Sequence, residues 1–177
     1  MRQEIEVKVR VNDLEAFAQK LEAVGCVVSP KVLQEDIIFA NYKPFDVFKS
    51  GATIARIRKA NEKILFTVKK SQSNELDCLE REVEIDNALE MKEAILLMGF
   101  YEAVHVQKYR RKTRYLDYEI CLDEVEGLGS FVEIEKITEN EDAQKVQKEL
   151  FEILKGFGVR TEDRVERGYD TLVYKKI

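Results

Sequence analysis

The chain has 177 residues, 45% of them hydrophobic and 36% charged, which is enough apolar material for one core beneath a heavy charge load, and it reads as a single domain over residues 1–177. Eight Gly, two Pro and 9% aromatics exclude collagen-like and low-complexity chains, and the longest apolar run, Ala94 to Phe100, falls far short of the ~20 residues that span a bilayer. A net charge of −5 argues against general nucleic-acid binding, so any anion has to be held by a local cluster of Lys and Arg.

From the N-terminus, Gln3 to Val11 alternates strictly and predicts a strand, with Ile5, Val7 and Val9 on one side and Glu4, Glu6 and Lys8 on the other. Asn12 or Asp13 then caps a helix through Leu14, Phe17, Leu21 and Val24, and Gly25 stops it. Val27 to Phe39 predicts a strand interrupted at Pro30, and Ala40 to Ser50 a loop. Thr53–Lys59 and Ile64–Lys70 predict a hairpin, and Ser71 to Asn74 a mobile loop. Cys78 to Asp86 alternates again. Asn87 caps a second helix through Met98, ended by Gly99. Three strands follow, near Val104–Tyr115, Asp117–Asp123 and Ser130–Ile137. Asn140 starts a third amphipathic helix, which Gly156 and Gly158 close. The tail from Gly168 to Tyr174 reads as a short helix or a closing strand. About eight strands with short connections give an α+β domain: a closed or nearly closed antiparallel β-barrel with helices packed outside.

Two counts remove whole mechanisms. Cys26, Cys78 and Cys121 are odd in number and far apart, which argues against a disulfide scaffold or a zinc cluster. His105 is the one histidine, so a His-rich metal site is impossible, and it reads as a structural or surface residue. The N-terminus runs directly into alternating structure without the pattern of a signal peptide, and the expected location is cytoplasmic, with no membrane partner.

The strands carry an unusual pattern. Their apolar sides, Ile5/Val7/Val9, Val83/Ile85 and Val132/Ile134, are what helices need for packing. The opposite sides carry Glu4/Glu6/Lys8, Arg56/Arg58, Lys69, Glu80/Glu82/Glu84, Lys108/Arg110, Asp123 and Glu133/Glu135. For any single strand a solvated outer face explains such charges. Recurrence in at least six segments, with both signs, points instead to a charged barrel interior. Carboxylates crowded together raise one another's pKa unless a cation lies between them, and a hard divalent ion suits them. Arg and Lys suit phosphate oxygens. The expected ligand is a metal-bound polyphosphate, held without a P-loop because no G-x-x-x-x-G-K-[ST] string occurs.

The ordered set resembles a known family. Glu4-Ile5-Glu6-Val7-Lys8 is similar to the E-x-E-x-K signature of the CYTH superfamily, the triphosphate tunnel metalloenzymes. Arg56-Ile57-Arg58, Lys69, Glu82-Val83-Glu84, Lys108-Tyr109-Arg110 and the closing acidic strands through Asp123, Glu133 and Glu135 follow in the family's order. Leu122-Asp123-Glu124-Val125 and the tail Gly168-Tyr169-Asp170-Thr171-Leu172 look most like the class IV adenylate cyclase (CyaB-like) branch.

The resemblance implies an eight-stranded tunnel and assigns roles. Glu4, Glu6, Asp123, Glu133 and Glu135 are the implied metal side, for Mg²⁺ or Mn²⁺. Lys8, Arg56, Arg58, Lys69, Lys108 and Arg110 are the implied phosphate clamp, with Arg110 or Arg111 as the partner of Lys108. Glu4, Glu6, Lys8 and Glu133 are the implied catalytic set, and Glu82 and Glu84 orient the cations. The implied substrate is a triphosphate: ATP, cyclised to cyclic AMP and pyrophosphate, or thiamine triphosphate or tripolyphosphate, hydrolysed. A non-catalytic polyphosphate-binding module is the third reading, and a homodimer is compatible with all of them.

Overall fold

The computed structural model describes residues 2–176. The strands are β1 (Gln3–Arg10), β2 (Val32–Ala40), β3 (Thr53–Ala60), β4 (Lys63–Ser71), β5 (Asp77–Ile85), β6 (Tyr101–Tyr115), β7 (Tyr118–Val125) and β8 (Gly129–Thr138). All neighbours are antiparallel, in the order β5-β4-β3-β2-β6-β7-β8-β1, and pairing of Gln3–Ile5 with Asp77–Leu79 closes the circle. A two-residue strand, β9 (Arg164–Val165), adds to β1 beside Lys8 and Val9. Closure leaves no long free sheet edge.

Helices α1 (Leu14–Ala23), α2 (Ala88–Leu97) and α3 (Ala143–Gly156) pack on the outer surface, where the alternation places its apolar residues. Val7, Val9, Ile134 and Val132 meet Phe17 and Leu21 of α1 and Val146, Leu150 and Leu154 of α3. Full burial of each such aliphatic chain is worth about 1.5–3 kcal/mol, so this layer is the main core. Asp13 caps α1, its side chain accepting from Ala16 N at 2.9 Å, and Asn87 caps α2 through Leu89 N and Glu90 N. Gln147 of α3 donates to Glu6 O at 3.1 Å, tying that helix to the strand that carries the N-terminal acids.

The hairpin expected around Asn61 is present, with Asn61 at φ 55°, which an Asn tolerates. Other expectations are corrected. The strand after Pro30 starts only at Val32, and Val27 is 86% exposed; proline supplies no N–H, and residues 27–29 instead bond irregularly to Lys112 and Thr113. Asp142, not Asn140, caps α3, while Asn140 takes φ 66°. Ser71–Asn74 is anchored rather than loose: Ser73 Oγ donates to Asp77 at 2.6 Å and Asn74 bonds to Gln147 of α3. Val83 is 55% exposed, because α2 covers Ala55, Ile57 and Phe39 and leaves the later part of β5, Arg81 to Glu84, exposed.

The tail forms a helix, α4 (Tyr169–Tyr174), and it differs from the others. Tyr169 packs with Phe131, Ile38, Val104 and Val106, inward-facing residues at one end of the barrel. The barrel therefore has an apolar end stoppered by α4 and Phe45, and an end rich in acids.

Candidate active site

Strand register fixes which side chains meet inside. Glu6 stands opposite Glu135, Lys8 opposite Glu133, Asp36 opposite Arg58, Arg110 opposite Asp123, and Lys69 opposite Glu80. All of these but Asp123, which is fully buried behind Arg110, line one cavity of about 270 Å³, together with Glu4, Arg56, Lys108, Tyr42, Phe48, Ile54 and Tyr169.

Carboxylate oxygens of Glu4, Glu6 and Glu135 lie within 4.8 Å of one another. Burial, then the nearby Glu133 charge, pushes the Glu6 carboxyl up to about 7, and burial followed by Glu4 and Glu119 pushes Glu135 up to about 8. Three hard oxygen donors whose charges repel are what a divalent cation relieves, so the residues fit Mg²⁺ or Mn²⁺. Glu119, Cys121 and Glu135 form a second such group, but Glu119 is engaged by Lys112.

The other acids are committed to cations. Arg58 donates two bonds to Asp36, at 2.6 and 2.7 Å, and its guanidinium together with Lys108 holds that carboxyl well below its usual range despite burial. Arg110 grips Asp123 with two bonds and also reaches Glu133, whose other oxygen lies 3.2 Å from Lys8 Nζ. Burial works against the charged form of Glu133, but Arg110 and Lys8 outweigh it and hold its carboxyl low. Lys69 bridges Glu80 and Glu4, and Arg56 reaches Glu80, Glu82 and Thr67. The Arg56 Nε has no partner of its own and is buried.

Lys108 is the exception among the cations. Burial, then Arg110 and Arg58, pushes its ammonium down to about 7, and its nearest carboxylate oxygen, on Asp36, is 3.9 Å away. A bound anion stabilises its charge.

The structure thus brings Glu4, Glu6, Lys8, Arg56, Arg58, Lys69, Lys108, Arg110, Glu133 and Glu135 together around one cavity. It sorts the acids in a way the pattern alone does not: Asp123 and Glu133 are bound by Arg110, and Lys8 stands between Glu133 and Glu6 of the Glu4/Glu6/Glu135 group. Glu82 lies at the rim, and Glu84 is outside, exposed and paired with Lys63. Arg111 faces out toward Glu15, which leaves Arg110 as the inward residue after Lys108. His105 is exposed and bonds to Glu102.

Asp36 and Tyr169 join the site without having been expected there. Asp36 is legible as the inward member of Gln34-x-Asp36-x-Ile38, whereas no spacing rule reveals that Tyr169 returns to the interior from a tail helix.

A family model for the CYTH domain matches residues 2–169. The chain belongs to the CYTH family. Proteins of this superfamily are metal-dependent and process triphosphates. A protein of Methanocaldococcus jannaschii named "Putative adenylate cyclase MJ0240" is 30% identical over 169 residues, covering 94% of this chain and 95% of the relative. The solved PH1819 protein of Pyrococcus horikoshii is 30% identical, with a TM-score of 0.78 over 98% of this chain and 99% of its own. A Hippeastrum protein named "Putative adenylyl cyclase HpAC1" and described as having a dominant triphosphatase activity shares the fold at 21% identity and a TM-score of 0.61, over 95% of this chain and 91% of its own. No helix among the described residues is long and apolar enough to cross a membrane.

The raised carboxyls set a pH dependence. A carboxyl whose folded pKa lies above its unfolded value stabilises the fold below the unfolded pKa, and that stability is lost as pH rises through the folded one. Asp36, Glu80 and Glu133, all lowered, act in the opposite sense but are fully ionised above pH 5.5. Between pH 5.5 and 8.5, Glu6 and Glu135 dominate, and Lys108 begins to oppose them only above about 7. Without divalent metal the melting temperature will fall across this window by an amount on the order of 10 °C. Saturating Mn²⁺ will recover most of the loss at pH 8.5. Calorimetric melting in chelator and in Mn²⁺ checks this; a flat profile in both contradicts it.

Proposed function

We propose that this protein is a Mg²⁺- or Mn²⁺-dependent enzyme that cleaves a triphosphate, and that its reaction is cyclisation of ATP to cyclic AMP and pyrophosphate. One observation carries the reading: the Glu4/Glu6/Glu135 carboxylates line the same cavity as Lys8, Arg56, Arg58, Lys69, Lys108 and Arg110. Family membership and the name of the 30% identical archaeal relative support the cyclase branch.

In this reading Lys8, Arg56, Arg58, Lys69, Lys108 and Arg110 hold the phosphate oxygens and stabilise the charge that builds on the departing pyrophosphate. Arg56 has a donor, Nε, still unassigned, and Lys108 lacks a close carboxylate, so these two take the phosphate without surrendering an existing pair. Arg58 and Arg110 are locked by Asp36 and Asp123, which fixes their guanidinium planes before substrate arrives. Glu4, Glu6 and Glu135 would hold the divalent ion, which when bound neutralises phosphoryl oxygens and lowers the pKa of the attacking hydroxyl.

A second reading, hydrolysis of the terminal phosphate of an organic triphosphate, draws support from the apolar part of the cavity wall. Tyr42, Phe48 and Ile54 there offer a seat for an organic group. The triphosphatase activity ascribed to the Hippeastrum protein agrees with that chemistry.

Offering ATP, thiamine triphosphate and tripolyphosphate in turn with Mg²⁺ or Mn²⁺, and identifying products by chromatography, separates the readings. Cyclic AMP with equimolar pyrophosphate is the expected result. Orthophosphate selects hydrolysis, and tight binding without product selects a binding module.

A further inference from the structure

The C-terminal segment contributes to the interior in a way that neither the fold nor the phosphate clamp requires. Arg167 O accepts a bond from Lys8 Nζ at 3.0 Å. Two residues on, the Tyr169 ring lies beneath two of the interior ammoniums, with Lys8 Nζ 4.1 Å and Lys108 Nζ 5.0 Å from its centroid. The hydroxyl of the same residue donates to Asp123 Oδ2 at 2.9 Å, and Asp123 grips Arg110. One side chain therefore touches two cations through its π face and steadies a third through a carboxylate.

We propose that Tyr169 is a positioning residue for triphosphate binding, its ring face holding the Lys8 and Lys108 ammoniums toward the cavity. This rests on the reading above, in which those ammoniums take phosphate oxygens.

The charges around Lys108 show why such a group is needed. Arg58 of β3 and Arg110 of β6 repel it. Asp36 of β2, Asp123 of β7 and Glu133 of β8 attract it, but Arg58 and Arg110 already occupy those carboxylates. A carboxylate placed against Lys108 instead would hold the ammonium but compete with the incoming phosphate for it. An aromatic face attracts a cation without a formal negative charge, worth roughly 0.5–2 kcal/mol depending on desolvation, and leaves the outer side of the ammonium available.

The ring and the hydroxyl are separable. Tyr169→Phe keeps the face and drops the bond to Asp123. Tyr169→pentafluorophenylalanine keeps the shape and apolar bulk but removes the negative face, so it remains folded where Tyr169→Leu, at a site only 7% exposed, leaves a gap.

The probe is tripolyphosphate without metal, titrated calorimetrically into the full chain. Wild type binds, Tyr169→Phe stays within about threefold of it, and the pentafluoro variant weakens about tenfold. On a Lys108→Met background the pentafluoro effect shrinks, because one of its two cations is gone.

Equal binding by the pentafluoro variant and wild type overturns the proposal. A loss in Tyr169→Phe as large as in the pentafluoro variant also overturns it, since the hydroxyl would then be what matters. Failure of wild type to bind tripolyphosphate at all instead removes the reading of the cavity on which the proposal rests, and the proposal with it.

Discussion

Glu6→Gln will lower metal-dependent turnover at least about a thousandfold while leaving the protein folded and, at pH 8 without metal, more stable than wild type. Both halves follow from the same geometry. Glu6 meets Glu4 and Glu135 within 4.8 Å, and its carboxyl is pushed up to about 7 by burial and by the Glu133 charge beside it. Ionised, it costs the apo-protein stability; ionised, it is also what a divalent cation requires. An amide of the same shape removes the repulsion and one of three anionic donors. Loss of the several kcal/mol that a metal contributes to charge stabilisation corresponds to roughly three orders of magnitude in rate. Steady-state turnover with Mn²⁺ and melting in chelator at pH 8 check the two halves. Unchanged turnover places the metal elsewhere, and a lower apo melting temperature contradicts the electrostatic account.

Glu133→Ala is expected to fail differently. Its carboxylate joins Lys8 to Arg110 deep in the wall and is the nearest counter-charge of Lys8, which otherwise has only Glu6 at 3.6 Å, while Arg110 keeps Asp123. Deleting it leaves the buried Lys8 ammonium short of a counter-charge, a change that costs about 3–5 kcal/mol where one member of a buried pair is removed. In a chain of this size the melting temperature should drop on the order of 10 °C, and turnover falls because Lys8, a phosphate-binding cation, loses its closest anchor. Urea unfolding of the two variants side by side measures the contrast. If Glu133→Ala unfolds no more easily than Glu6→Gln, then Glu133 is not the structural link its contacts indicate.

The contrast between these two glutamates shows how much the sequence can say. Period-2 alternation puts Glu4, Glu6, Lys8, Arg56, Arg58, Lys108, Arg110, Glu133 and Glu135 on one side of their strands, because side-chain direction along a strand follows from backbone geometry alone. Which acid pairs with which base depends on register between strands far apart in the chain, and local pattern does not encode that. Hence the sequence groups Asp123 and Glu133 with the acids of β1, although Arg110 claims both.

Alternation does put Asp36 inward, but it lies in a mostly apolar strand, and that it pairs with Arg58, 22 residues away, depends on register that local pattern does not encode. Tyr169 shows the same limit more strongly. A six-residue helix with Tyr169 and Thr171 as its buried residues has no periodic signature that tells an inward-reaching tail from an outer one. Glu84 errs in the other direction: alternation aligns it with Glu80 and Glu82, but it stands beyond the barrel's rim, where solvent and Lys63 take it.

The central claim is spatial, that a metal and a triphosphate meet inside the barrel. Crystals grown with Mn²⁺ and tripolyphosphate, with anomalous scattering recorded to locate the manganese, test it most directly. The account predicts a manganese peak bounded by the Glu4, Glu6 and Glu135 carboxylates, with phosphate density running from it onto Arg56 and Lys108. Manganese seated against Asp123 and Glu133, or phosphate bound only on the outer surface, would contradict it.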